Sequence, residues 1–384
     1  MPDFEKHLKY GMVGGGEGSF IVDVHRKALG LVGGAELVCG CFDINQQNNV
    51  HSGLKYGIEE QRIYKDYTEM SEAEATRPDR PDFVVIVTPN YLHYPVAKEF
   101  LSKGFNVVCE KPLCFEVEEA QELKRIADEK NLLFNITYTY IGYPMVKQAR
   151  YMVRNGDIGE VTVVMAEYAQ EWVGELCEKT GGKPSVWRND PKVNGKAGTV
   201  GDIGTHIESV VSYITGLGII SLCANLRVIG KGMNLDTNGE ILVKYDNGAS
   251  GMYWCSQVAY GHNNGLRIRI FGTKGSIEWE QEDPCRLKVS IQGEPARILV
   301  QGKDYIADSV RKYCRLPAGH PEGFYEAFAN LYTAFTGALL KKRYGYELTK
   351  DDLDFAGIME GTNGVKFMTR CIESSKNDCS WIRF

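Results

Sequence analysis

Three clusters in this 384-residue chain combine residue types and spacings that suit chemistry. In Gly201-Asp202-Ile203-Gly204-Thr205-His206 a carboxylate and an imidazole stand four residues apart, so both fall on one face of a helix. A carboxylate near an imidazole sets its tautomer and supports its protonated form, which suits a base that takes a hydroxyl proton. The same residues also read as a helix N-cap, Asp202, followed by a packed histidine, His206. Glu110-Lys111-Pro112 closes the run NVVCEKP, which reads as a strand. An ammonium at the carboxyl end of a strand can donate to a hydroxyl and stabilise alkoxide charge as it develops. For a single lysine, a plain surface position is the alternative.

The third cluster, Gly14-Gly15-Gly16-Glu17-Gly18-Ser19, lies between a predicted strand and a predicted helix. It fits G-x-G-x-x-G/A loosely, with Ser19 in the third glycine position. Such a turn lets a pyrophosphate approach the backbone closely and rest on the positive end of a helix; an ordinary glycine turn has the same look. Asp43 ends the second predicted strand, where a carboxylate accepts hydrogen bonds from the adenosine ribose hydroxyls. Ile44-Asn45-Gln46 follow with no Arg or Lys, and a carboxylate repels a 2′-phosphate, so the expected dinucleotide is NAD rather than NADP. Asp43 also suits the start of a turn. Thr88-Pro89-Asn90 ends the apolar run 83–87, and open parallel sheets bind ligands at the carboxyl ends of their strands; a Pro-Asn turn is the other reading.

These clusters need elements to position them. The length suggests two domains. Up to about residue 138, short apolar runs (8–14, 35–43, 83–89, 106–112, 132–138) alternate with helical patterns (19–32, 93–104, 116–131). In the last of these helices Val117, Ala120, Leu123, Ile126 and Ala127 form one stripe. Alternation of this kind implies a parallel sheet with helical crossovers. Beyond residue 140 the strands lengthen and turn tightly (161–172, 220–230, 239–258, 266–280, 286–292), with Asn247-Gly248 and Lys274-Gly275 as turn signals. Helices return at 321–341 and 351–374. The expected fold is α/β: a doubly wound parallel Rossmann sheet over 1–138, then an α+β domain over 139–384 with a large open, mostly antiparallel sheet. The last helices are free to pack back on the first domain.

Composition narrows the function classes. Hydrophobic content of 43% and charged content of 24% are ordinary for a globular chain. A net charge of −6 without a basic block argues against nucleic acid as a partner. The N-terminus lacks a signal-peptide apolar region, and no run is long and apolar enough for a membrane span. Eleven cysteines at irregular spacing, none in a CxxC pair, fit free thiols in a reducing cytoplasm. No metal-binding spacing of Cys, His or carboxylates stands out, and no metal is expected.

The glycine turn, Thr88-Pro89-Asn90 with His93, Glu110-Lys111-Pro112 and the Asp202–His206 segment together resemble the Gfo/Idh/MocA oxidoreductases in order and spacing over nearly the whole chain. The resemblance implies catalytic roles for Lys111, Asp202 and His206, with His206 as acid/base. It implies a cofactor set of Gly14, Gly16, Glu17, Gly18, Ser19, Phe20, Asp43, Thr88, Pro89, Asn90, His93, Glu110 and Lys111. It also implies NAD(P) in the N-terminal domain and a homo-oligomer built on the C-terminal sheet. Gly14 through Ile21 with Val24-His25-Arg26, and Trp187-Arg188, resemble a subgroup whose members oxidise the C3 hydroxyl of glucosides. Thr137-Tyr138-Thr139-Tyr140 departs from the family's usual residues there and bears on the substrate wall. Tyr138, Tyr140 and Tyr143 offer an apolar face and a polar tip to a sugar, and Trp187 and Arg188 lie in a loop before Asp202. His262 and Asn263 read as a hairpin tip, with a place in the lining of the site as the alternative.

The leading expectation is an NAD-dependent dehydrogenase acting on a secondary hydroxyl of a sugar, glycoside or cyclitol. A glycoside-cleaving enzyme with transient C3 oxidation stays open. So does a non-catalytic NAD sensor, although a sensor needs neither Lys111 nor His206.

Overall fold

The structure, a computed structural model, describes residues 7–180 and 187–384. The chain forms two compact units. The first takes the chain through Thr137 together with Phe328–Thr362; the second takes Tyr138–Ala327 together with Asn363–Phe384.

In the first unit, strands β1 (Leu8–Gly14), β2 (Ala35–Cys41), β3 (Phe83–Val87), β4 (Asn106–Cys109) and β5 (Phe134–Ile136) form one sheet in the order β2-β1-β3-β4-β5. Every pairing in it is parallel. All five residues of β3 are buried, as an apolar strand covered on both faces requires. The crossovers are α1 (Phe20–Val32), α2 (Gln46–Lys55), α3 (Tyr67–Ala75), α4 (His93–Ser102) and α5 (Val117–Glu129). The α5 stripe buries Ala120, Leu123, Ile126 and Ala127, and Val117 stays at the half-buried first turn. Helices α2 and α3 escape periodicity because they are polar and bury few residues; Asn45 and Asp66 fix their starts by accepting from Asn48 N and Glu69 N.

Strand β4 ends at Cys109, so Glu110-Lys111-Pro112 lies just past the sheet edge and not within the strand. The later chain also supplies this unit's core. Phe335 is edge-on to Phe83 and to Phe355, and Tyr332 lies beside Phe83.

The second unit holds α6 (Pro144–Arg154), β6 (Val161–Ala169), α7 (Trp172–Lys179), α8 (Pro191–Asn194), a π-helical turn at Val200–Gly204 and α9 (Thr205–Thr215). Strands β7 (Ile219–Arg227), β8 (Asn238–Tyr245), β9 (Ser250–Ser256), β10 (Gly265–Gly272), β11 (Gly275–Glu280), β12 (Arg286–Ile291) and β13 (Arg297–Val300) follow. Then come α10 (Asp308–Arg311), α11 (Phe324–Arg343), α12 (Ile358–Lys376) and β14 (Ile382–Arg383); α11 and α12 each contribute residues to both units. The sheet has nine strands in the order β13-β12-β11-β10-β6-β9-β8-β7-β14. All neighbours are antiparallel except β6 and β9, which run parallel. β8 alternates buried and exposed residues, with a tight turn at Gly248 (φ 86°) before β9. Helices α6 and α9 pack on each other and against the sheet.

Phe335 is fully buried, so Phe335→Ala is expected to destabilise the first unit by about 3–5 kcal/mol. An earlier urea midpoint with an unchanged circular dichroism spectrum at zero denaturant checks this.

Candidate active site

The first unit brings the predicted dinucleotide residues to the carboxyl ends of β1, β3 and β4, which are neighbours in the sheet. Gly14 (φ 85°) and Gly15 (φ 81°) adopt left-handed backbone that favours glycine. A side chain at Gly14 would lie 2.9 Å from the Val87 carbonyl and from Thr88 N; one at Gly16 would lie 2.9 Å from Asp43 Oδ2. The turn is pinned by Gly16 N donating to Phe42 O (2.9 Å) and Tyr56 Oη donating to Gly15 O (2.9 Å). Ser19, at the N-cap of α1, places no side-chain hydrogen bond on the helix start. This is a glycine cradle under a positive helix end, and it fits a pyrophosphate. Thr88 Oγ1 is buried without a hydrogen-bond partner among the described residues, an orphaned hydroxyl at the end of β3 that a ligand can satisfy.

Asp43 lies two residues beyond β2 and accepts from Asn45 N (2.9 Å) and Asn48 Nδ2. A carboxylate has about four acceptor positions, so capacity for a ribose hydroxyl remains. Glu17 turns toward α2, where its carboxylate pairs with Lys55 and His51. The hydrogen bond from Lys55 leads in holding that carboxyl below its usual range. Phe20 is 74% exposed at the first position of α1. Pro89 and Asn90 lead from β3 into the short turn before α4.

His93 is buried, with Nδ1 2.6 Å from Pro112 O and Nε2 3.0 Å from Thr88 O, so it ties two strand ends together. A neutral ring can satisfy only one carbonyl at a time, and burial lowers its basicity. Glu110 Oε1 accepts from His25 Nε2 (3.0 Å) and Thr137 Oγ1 (2.6 Å), and Oε2 from Lys111 N (3.3 Å). Burial pushes the Glu110 carboxyl up, yet the His25 hydrogen bond and charge, Thr137 and Lys111 together hold it below the usual range.

In the second unit the Asp202–His206 pair starts in a π-helical turn and ends in the first turn of α9. π-helical turns recur at functional sites. The segment is anchored by the buried Asp236, which accepts from Gly198 N (2.6 Å) and Val200 N (2.7 Å); burial pushes this carboxyl up despite those bonds. Asp202 Oδ2 accepts from Gln257 Nε2 (2.7 Å), and Gln257 Oε1 accepts from Thr199 Oγ1 (2.9 Å). The polar series continues: Gln257 Nε2 and Trp172 Nε1 donate to Gln170 Oε1. Gln170 Nε2 donates to Asn264 Oδ1, Tyr168 Oη donates to the same oxygen, and the Tyr168 and Tyr140 hydroxyls bond to each other. His206 is 7% exposed among tyrosine rings, with centroids at 4.8 Å (Tyr140), 5.8 Å (Tyr138) and 6.3 Å (Tyr168).

Tyr143 stacks on Tyr140. The Arg188 guanidinium lies 5.9 Å from the Trp172 ring centroid, and the Trp187 side chain lies outside the described residues. His262 and Asn263 are exposed in the connection between β9 and β10. Gln170, Gln257, Asn264, Tyr168 and Asp236 were not legible beforehand. They meet because β6 pairs with β9 on one side and β10 on the other, with Tyr168 opposite Cys255 and Ala169 opposite Gly265.

Residues 8–138 match the oxidoreductase family, NAD-binding Rossmann fold, and residues 146–278 match the GFO/IDH/MocA C-terminal domain. The chain is 36% identical to the uncharacterized oxidoreductase YfiI of Bacillus subtilis, over 99% of this chain and 97% of that protein. It is 27% identical to a levoglucosan dehydrogenase of Pseudarthrobacter phenanthrenivorans, over 57% of this chain and 60% of that protein. Among solved structures, an inositol dehydrogenase homolog from Azotobacter vinelandii complexed with NADH and myo-inositol is similar with a TM-score of 0.90 at 33% identity, covering 99% of this chain and 98% of that one.

Asp43→Ala is expected to narrow the preference for NAD over NADP by about tenfold or more, because the repulsion of a 2′-phosphate is removed. Titration of the purified variant with both dinucleotides reads the ratio of Kd values, and an unchanged ratio removes Asp43 from cofactor selection.

Proposed function

This chain belongs to the Gfo/Idh/MocA family of NAD-binding oxidoreductases, and from that premise we propose that it oxidises a secondary hydroxyl of a sugar, glycoside or cyclitol. The observation that carries the substrate class is the wall around His206: tyrosine rings on several sides and a hydrogen-bonded series of amides and hydroxyls running from Asp202 to Tyr140. A polyhydroxylated ring needs many donors and acceptors together with apolar faces for its C–H groups. Two relatives point the same way, one named for levoglucosan and one bound to myo-inositol.

When bound, NAD supplies the hydride acceptor. Gly14, Gly16, Gly18 and Ser19 would receive its pyrophosphate, Asp43 its adenosine ribose, and Thr88 and Glu110 its remaining polar groups. His206 takes the substrate's hydroxyl proton as the hydride leaves. Asp202, held by Gln257, supports the protonated imidazole. The role proposed for Lys111 is to stabilise the negative charge that develops on the substrate's oxygen. Tyr138, Tyr140, Trp187 and Arg188 hold the substrate.

Lys111→Ala and His206→Ala are each expected to lower kcat by roughly 10²- to 10⁴-fold while the Kd for NAD changes little. The assay is a panel of methyl glucosides, free hexoses and inositols, following nicotinamide absorbance and keto product by mass. Full activity in either variant removes the role assigned to that residue.

The same reading includes a homo-oligomer in the cytoplasm, without nucleic acid or membrane partners. Val163, Leu242 and Met252 are 39%, 45% and 46% exposed on the adjacent strands β6, β8 and β9, a patch that suits burial against a second copy. All eleven cysteines are free thiols, and no helix of the described residues is long and apolar enough to cross a membrane. Met252→Lys is expected to lower the solution mass measured by light scattering; an unchanged mass excludes this face as the interface.

A further inference from the structure

His25 has no place in the mechanism above, yet it is fully buried and both of its ring nitrogens are committed. From α1, Nε2 meets Glu110 Oε1 at 3.0 Å and Nδ1 meets Tyr332 Oη at 2.6 Å. The Phe328 ring is edge-on to the imidazole at 5.1 Å. Glu110 also receives Thr137 Oγ1 and, on its other oxygen, the main-chain N–H of Lys111. One carboxylate therefore gathers donors from the dinucleotide helix, from the residue after β5 and from the lysine's own backbone.

We propose that His25 is a positioning residue for Lys111: through Glu110 it fixes the main chain of the Glu-Lys-Pro segment to α1, the helix that carries the glycine cradle. The functional consequence rests on the reading of Lys111 as the active lysine. The groups facing this pair are Tyr332 from α11, His93 from α4, and Cys109 and Lys111 from the Glu110 segment itself. Burial pushes the Tyr332 phenol and the Cys109 thiol well up, so both are neutral partners. The anchor is complete while Glu110 is ionised and is lost as pH falls through its depressed pKa. Without His25 a hydrogen bond and a charge that favour the ionised carboxylate are gone, so that loss moves to higher pH.

Two variants separate the donor from the packing. His25→Leu keeps apolar bulk and removes the donor; His25→Gln returns an amide N–H toward Glu110. Hydrogen exchange of the peptide spanning 107–115 is measured by mass in the NAD-saturated protein across pH. His25→Leu is expected to speed exchange of the Lys111 amide about tenfold and to shift its pH dependence upward, with His25→Gln close to wild type. With a turnover assay, kcat in His25→Leu falls about tenfold or more with the KM for NAD little changed, and its acid limb moves to higher pH. Wild-type exchange in His25→Leu overturns the proposal, as does failure of His25→Gln to restore it. If His25→Leu does not fold, His25→Phe keeps a ring against Phe328 and removes the donor to Oε1, and unchanged exchange there overturns the proposal equally. Because exchange needs no turnover, it fails separately from the functional reading, which the Lys111→Ala assay decides.

Discussion

The first unit is organised by one steric constraint, the absence of side chains where the end of β1 meets β2 and β3. Any Cβ at Gly14 would strike the Val87–Thr88 peptide, and any at Gly16 would strike the Asp43 carboxylate. That clearance allows backbone amides and the start of α1 to face a diphosphate directly, where partial positive charge is concentrated. The flanking groups are arranged around the same opening: Thr88 with its orphaned hydroxyl, Asp43 with spare acceptor capacity, and Glu110 with one oxygen committed to His25 and Thr137 and the other lightly used.

The second unit solves a different problem, that of keeping many polar groups together without leaving them unsatisfied. Buried amides and hydroxyls are costly when unpaired and rigid when fully paired. The series from Thr199 through Gln257, Gln170 and Asn264 to Tyr168 and Tyr140 pairs each member with the next, and it ends beside the His206 ring. Asp236 and Gln257 fix the π-helical turn from the loop side, so the imidazole at the head of α9 is set by groups far away in sequence. The two carboxylates differ in use: Asp236 is spent on backbone N–H groups, whereas Asp202 has one oxygen on an amide side chain.

Local signals carried much of this into the sequence. The apolar run 83–87, the stripe of α5 and the glycine turn report backbone geometry directly, and they fall on a buried strand, an amphipathic helix and a left-handed turn. Helices α2 and α3 were hidden because a polar helix capped by Asn45 or Asp66 has no stripe to read. The clusters Glu110-Lys111 and Asp202–His206 stood out by type and spacing, but their partners did not. His25 and Glu110 are far apart in the chain, and Tyr168, Gln257 and Asn264 meet only through the register of β6 with β9 and β10. Glu17 shows the converse: its place in the glycine turn suggested the cofactor, and the structure turns its carboxylate to Lys55 and His51 on α2.

The most direct test of hydride transfer follows the hydrogen itself. The purified protein is incubated with NAD and with myo-inositol or methyl glucoside carrying deuterium on every ring carbon, and the cofactor is then weighed by mass spectrometry. Direct hydride transfer predicts reduced cofactor bearing a single deuterium, formed together with a ketone on the ring. Ketone formed with unlabelled cofactor, or no exchange of hydrogen with any polyol while NAD stays bound, contradicts it.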